Sequence, residues 1–279
     1  MKKIGEYLLQ ERLGRGNMSE VWKARHQTSE RLVALKVLQP RDEIFVDLLG
    51  EDGLREFFFE EARLLKEFRR EHVAELIDCG EENGIAYIVL AYYPDSLGSL
   101  IGDSTRVEVS ATIAVEAACR YLHQTLCGLE ELHGAGVIHR DIKPDNLMIT
   151  DDDLIRIIDF GLCTIRGKKK MTIPGMQVGS PFYAAPEQED DPEKTDERAD
   201  LFSVGVVAYR LLTGRLVNHR QKSIPPPSRY TAGLNQKWDE FLLKGICKER
   251  RGRYQTARKM RLQLESVCRS CSFRGTEPA

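Results

Sequence analysis

Residues 200–212 read Asp-Leu-Phe-Ser-Val-Gly-Val-Val-Ala-Tyr-Arg-Leu-Leu, a stretch that is almost wholly apolar. A helix with so little polar surface has to be buried. This one is too short to cross a bilayer, which takes roughly 18–20 apolar residues. The chain must therefore build a body around it, and 279 residues with 42% hydrophobic side chains supply the material.

What surrounds that helix changes period once along the chain. Residues 7–13, 19–25 and 31–38 read as strands, with Gly14-Arg15-Gly16-Asn17 as the turn between the first two. Over 54–70 the period becomes helical, with Phe58, Ala62, Leu65 and Phe68 or Arg69 in step. Strands return at 74–78 and 85–91, separated by a polar turn at 80–84. After Pro94-Asp95 the chain reads as helix. A long amphipathic segment at 112–133 is stopped by Gly134-Ala135-Gly136. Pro225-Pro226-Pro227 is a stiff connector, and 238–247 and 256–267 are two closing helices. The fold class is therefore α+β, with a strand-rich third carrying one main helix and a larger helical remainder. The sequence boundaries are 1–93 and 94–268, with a short tail at 269–279.

Composition excludes several roles. A net charge of −2 argues against bulk binding to nucleic acid or an anionic membrane. No apolar run is long enough for a membrane segment, and Met1-Lys2-Lys3-Ile4-Gly5-Glu6 lacks the apolar stretch of a signal peptide, so a cytoplasmic chain is expected. The seven scattered cysteines (79, 119, 127, 163, 247, 268 and 271) do not look like a disulfide framework. The Cys268–Cys271 pair lacks the second ligand pair of a tetrahedral zinc site, so reduced thiols are expected.

Several polar groups stand where packing alone would not put them. Lys36 ends the apolar strand run Val33-Ala34-Leu35 and needs a negative partner if it is not an edge residue facing solvent. Glu61 is the better candidate, because Leu64, Leu65 and Phe68 near it turn inward; Glu60 lies about 100° further round the same helix. Glycines at 14 and 16 let backbone amides approach an anion, although two glycines in a hairpin turn are more often just a hairpin. His139-Arg140-Asp141-Ile142-Lys143-Pro144-Asp145-Asn146 concentrates charge in one loop. Asp159-Phe160-Gly161 follows thirteen residues after Asn146, and Gly179-Ser180-Pro181-Phe182-Tyr183-Ala184-Ala185-Pro186-Glu187 comes later.

Taken in order, these segments resemble the signature set of the eukaryotic-like serine/threonine protein kinases, over roughly residues 5–268. Bacterial members look most similar. The resemblance implies a protein-kinase-like bilobal fold, with 1–93 as the small lobe and 94–268 as the large one. It implies transfer of the γ-phosphoryl group of ATP to protein serine or threonine hydroxyls, including the chain's own, with magnesium (or manganese in its place) as metal. Asp141 would orient the substrate hydroxyl, Lys143 would meet the γ-phosphate, and Lys36, held by Glu61, would meet the α- and β-phosphates. Asn146 and Asp159 would bind the metal. Leu13, Gly14, Gly16, Val21, Ala34, Leu90, Tyr92, Tyr93 and Met148 would surround the nucleotide, with Leu90 as gatekeeper and 91–93 as hinge. Ser19 stands where a third glycine is usual, and Ala91 where many relatives carry glutamate. Leu65, Leu76, Phe160 and His139 would stack as an apolar spine. Ser180 would contact Asp141 and Lys143, Glu187 would pair with Arg253, and Asp200 would brace the loop at 139–146. Arg140 beside Asp141 implies control by a phosphorylated residue, for which Thr172, next to Lys168, Lys169 and Lys170, is the candidate. Two readings compete: a silent kinase-like scaffold, and a small-molecule phosphotransferase of the same fold.

Overall fold

The computed structural model describes residues 2–41, 43–102, 109–166, 179–217 and 223–272, with side chains described to residue 269. The chain divides after Pro94 into two compact units. The first holds β1 (Lys3–Ile4), β2 (Tyr7–Arg15), β3 (Ser19–His26), β4 (Leu32–Leu38), α1 (Ile44–Glu67), β5 (Leu76–Glu82) and β6 (Ile85–Ala91). Its strands form one antiparallel sheet in the order β1-β2-β3-β4-β6-β5. Strand alternation divides the faces. Val33, Leu35 and Val37 join Tyr7, Leu9, Ala24 and Val89 in a buried cluster. Ala34 and Lys36 consequently face the other way, opposite Leu90 and Ile88 on β6.

Helix α1 starts ten residues earlier than its period suggests, because Gly50, at φ 69°, joins a short helical segment to the main one. The segment at 39–53 is longer than a minimal small lobe needs, and its residues 44–53 are helical and pack Phe45 beside Leu54. The turn between β5 and β6 is also tighter than the polar run 80–84 suggests, since β5 runs on to Glu82 and leaves Asn83-Gly84 as the turn.

The second unit holds β7 (Asp95–Ser96), α2 (Leu97–Ile101), α3 (Val115–Gly134), β8 (Val137–Ile138), β9 (Leu147–Ile149), β10 (Ile155–Ile157) and β11 (Thr164–Ile165). It continues with α4 (Pro186–Asp190), α5 (Arg198–Thr213), α6 (Gln236–Gly245) and α7 (Ala257–Ser272). Every residue of α5 from Ala199 to Thr213 is buried, as its composition demands. Helix α3 packs against α5 and α7, and α6 packs against α5. The short antiparallel pairs β8–β11 and β9–β10 fasten the two ends of the polar loop at 139–146. No helix of the described residues is long and apolar enough to cross a membrane.

The cysteines differ from expectation. Cys119 on α3 and Cys268 on α7 form a disulfide, while Cys79, Cys127, Cys163 and Cys247 remain outside any disulfide. The pairing joins residues 149 apart in sequence, brought together only by the packing of two helices. Linear spacing carries no trace of such a contact. Closing so long a loop restricts the unfolded chain, so reduction, or Cys119→Ser, should cost about 2–4 kcal/mol. Thermal melts with and without a thiol reductant test this: the wild-type midpoint should fall and that of Cys119→Ser should not move.

Candidate active site

The first unit contributes a buried ion pair. Lys36 Nζ donates to Glu61 Oε2 at 2.6 Å, and both side chains are largely buried. Glu61 wins over Glu60 because it shares the inward stripe of α1 with Phe58, Ala62, Leu64 and Leu65, whereas Glu60 is exposed and pairs with Arg63. Around the pair, Val21 lies opposite Lys36 in the β3–β4 register, and Ala34 lies opposite Lys23 and Leu90. Lys23 sits over the Tyr92 ring at 4.8 Å, and the Ala91 amide donates to the Glu75 carbonyl. Tyr93 follows Tyr92 beyond the end of β6. Leu13 and Gly14 lie on β2, and Gly16 opens the turn beyond it by donating to the Ser19 carbonyl at 2.8 Å.

The second unit gathers a tighter group. Asp141 is nearly buried. Its Oδ2 accepts from Lys143 Nζ at 3.0 Å and from Asn146 Nδ2 at 2.9 Å, and its Oδ1 accepts from Ser180 Oγ at 2.7 Å. Lys143 also donates to Ser180 Oγ at 2.7 Å. Three residues from two sequence motifs thus converge on one carboxylate. The Asn146 amide nitrogen also donates to the Asp141 carbonyl, which leaves its amide oxygen turned away as an acceptor. Asp159 has a left-handed backbone, φ 64°, a conformation a non-glycine residue adopts only where its surroundings enforce it. Immediately before it, the Ile158 amide donates to the Asn146 carbonyl. Met148 lies on β9, opposite Arg156 on β10 and Ser96 on β7. Of the expected spine, His139 and Phe160 meet edge to face at 5.0 Å.

The loop holding Asp141 is anchored from beneath. Asp200, fully buried near the start of α5, accepts from the amides of His139 (2.9 Å) and Arg140 (2.7 Å) and from His133 Nε2 (2.8 Å). Burial alone would push its carboxyl up. The His133 hydrogen bond, the charges of His133 and His139 and the Arg140 amide outweigh that and hold it below its ordinary value. Gln188 adds a second strap, donating from Nε2 to the Arg140 carbonyl at 2.8 Å. Gly179 lies against the same carbonyl at φ 89°, and a Cβ there would sit 3.0 Å from that oxygen. Sequence reasoning did not single out His133, Gln188 or Gly179. Gly179 stands at the head of the segment 179–187, where its own role leaves no separate signal.

Glu187 and Arg253 form a two-pronged buried pair at 2.7 and 2.8 Å. The remaining Arg253 N–H groups donate to the carbonyls of Cys247, Lys248 and Arg198, so all five donors are used. Arg140 is the opposite case. Its buried guanidinium donates to the Pro192 carbonyl at 3.3 Å, and among the described residues its Nε has no hydrogen-bond partner. Burial pushes its pKa down. Thr172 and Lys168 to Lys170 lie outside the described residues.

A strand lysine paired with a helix glutamate in the first unit, and a loop anchored on Asp200 with a braced Ala-Pro-Glu segment in the second, are features of the protein kinase class, and residues 7–245 match the protein kinase domain model. The chain belongs to that family. It is 30% identical to the probable serine/threonine-protein kinase PknB of Bifidobacterium longum, over 93% of this chain and 39% of that protein. It is 30% identical to the serine/threonine-protein kinase PknH of Mycobacterium bovis, over 91% of this chain and 42% of that protein. A probable serine/threonine-protein kinase of Clostridium perfringens, CPE1738, is 29% identical over 94% of this chain and 38% of its own length. The chain thus spans about two fifths of the length of these relatives.

Two outcomes follow from these anchors. Glu187→Gln leaves the Arg253 cation buried and half-paired, which should cost about 3–5 kcal/mol in urea unfolding. The Asp200 carboxylate, depressed below its ordinary 3.8, stabilises the fold above that value, and its contribution should be lost as pH falls through the lower folded value. An Asp200→Asn variant should show a flatter loss of stability in acid than the wild type, measured by urea midpoints across pH.

Proposed function

We propose that this chain transfers the γ-phosphoryl group of ATP to serine and threonine hydroxyls of proteins, as a kinase of the non-specific serine/threonine class, and that its own chain is among its substrates. The observation that carries this is the Asp141 carboxylate, held at once by Lys143, Asn146 and Ser180. Such a carboxylate is positioned to orient an incoming hydroxyl and receive its proton, which is most of what phosphoryl transfer asks of the protein. Lys143 beside it is a cation for the transferring phosphoryl oxygens. Lys36, fixed by Glu61, supplies a second for the nucleotide phosphates. The relatives' names support serine and threonine as acceptors.

A hard divalent cation fits the donor set, since the outward amide oxygen of Asn146 and the Asp159 carboxylate are oxygen ligands of the kind magnesium prefers. When bound, it would neutralise phosphate charge. Leu13, Gly14, Gly16, Val21, Ala34, Leu90, Tyr92, Tyr93 and Met148 are the nucleotide-contacting residues in this reading. A need for ATP supports a cytoplasmic location. That compartment keeps most disulfides reduced, so full oxidation of Cys119 and Cys268 in growing cells, read by differential alkylation, would contradict the placement.

Control by phosphorylation extends the same reading. The buried Arg140 guanidinium, whose Nε has no partner among the described residues, offers donors to an anion, and phosphate on Thr172 is the proposed source. Intact-mass and peptide mapping after incubation with ATP should find it there; an active preparation without it would contradict this control. For the activity itself, the chain is incubated with γ-labelled ATP and magnesium. The wild type should label protein, and Asp141→Asn should fall by at least about a hundredfold, the usual scale for a positioned acid–base group. Equal labelling of both would overturn the reading, and labelling of a metabolite but no protein would favour a small-molecule phosphotransferase.

A further inference from the structure

The turn between β2 and β3 is fastened sideways. The carbonyl of Asn17 accepts from the Arg41 amide at 2.8 Å, and the carbonyl of Met18 accepts from the Gln39 amide at 2.9 Å. These bonds extend the β3–β4 ladder, where Ser19 faces Leu38, out to the tip of the turn. The Met18 side chain continues the attachment. It packs with Leu38, Val46 and Leu49 against Phe45 and Leu54, the small apolar cluster made by the first turns of α1. At the base of the hairpin, buried Glu20 pairs with Arg12 and Arg15 and accepts from Trp22 Nε1 at 3.2 Å.

This attachment has a directional consequence. In a trans peptide the C=O and N–H point opposite ways, and the described residues contain no cis bonds. Tying the carbonyls of Asn17 and Met18 toward 39–41 turns the amides of Met18 and Ser19 away from that segment. The geometry is that of a pre-set anion cradle whose donors are aimed by bonds made on its other side. A Ser19 Cβ, where glycine would be freer, suits a turn that is held in place.

We propose that 39–53, the connector and kinked start of α1, is a clasp that positions the glycine turn for nucleotide phosphates, with Met18 and Phe45 as positioning residues. Gly50 makes the clasp possible. Its left-handed backbone turns the first segment back so that Phe45 meets Leu54 beside Met18. The clasp also places the turn and Glu61 on one continuous support, because Glu61 lies further along the same helix. The effect on ATP rests on the kinase reading above; the clasp itself does not.

Amide hydrogen exchange of the nucleotide-free chain tests the clasp directly. In Phe45→Ala the Gln39 and Arg41 amides should exchange at least about tenfold faster than in the wild type, and Phe45→Leu should restore most of the protection. The KM for ATP should rise at least about fivefold in Phe45→Ala, with kcat within about twofold, the pattern of lost ground-state positioning. Met18→Ala, which removes a partly buried side chain at the tip, should give the same pattern and serves if Phe45→Ala fails to fold. Unchanged exchange in these variants overturns the clasp. Faster exchange with an unchanged KM overturns its role in positioning. If the wild type transfers no phosphoryl group, the kinase reading fails, and exchange together with calorimetric ATP affinity still decides the clasp.

Discussion

Asp200 has no solvent exposure and accepts hydrogen bonds from two consecutive backbone amides and a histidine ring. A buried carboxylate is tolerable only when it is so satisfied. Those amides belong to His139 and Arg140, the two residues before Asp141, so the arrangement that makes a buried Asp200 tolerable also fixes the loop that holds Asp141. The left-handed backbone of Arg140, φ 70°, is held in place by the same bonds. Helix α5 anchors the later segment as well. Ser203 donates to the Tyr183 carbonyl at 2.8 Å, and the Arg198 carbonyl accepts from Arg253. The apolar helix that the chain had to bury is thus the floor on which both segments rest.

Two of the buried arginines differ in how far their donors are satisfied. Arg253 has an acceptor for each of its five N–H groups and lies over the Phe202 ring at 4.8 Å, so any rearrangement would leave a charge stranded. Arg140 donates to the Pro192 carbonyl, and among the described residues its Nε has no hydrogen-bond partner. The first arrangement resists change, and the second has donor capacity left over.

Much of the site could be read from the residues in order. Lys36 in an apolar strand required a carboxylate, and helical phase chose Glu61 over Glu60. Glu187 with Arg253, Ser180 with Asp141, and Asp200 with the loop were legible only through the family resemblance that the short distinctive segments carry. Three things were not. The Cys119–Cys268 bond depends on how α3 and α7 lie together, which leaves no local pattern. His133 on the amphipathic α3 looks like any polar residue near a helix end until Asp200 is placed beside it. The clasp at 39–53 is made largely of backbone bonds and aliphatic contacts, and neither requires a particular residue type.

The central claim is that the loop at 139–146 takes its shape from Asp200 and is as firm as the core helix beneath it. Native-state amide exchange at His139 and Arg140 measures this most directly. Anchored on Asp200, both amides should exchange only through global unfolding, with the same free energy as the amides in the middle of α5. Exchange through local opening, at a free energy well below that of α5, would show that the loop moves independently of the helix and would contradict the account.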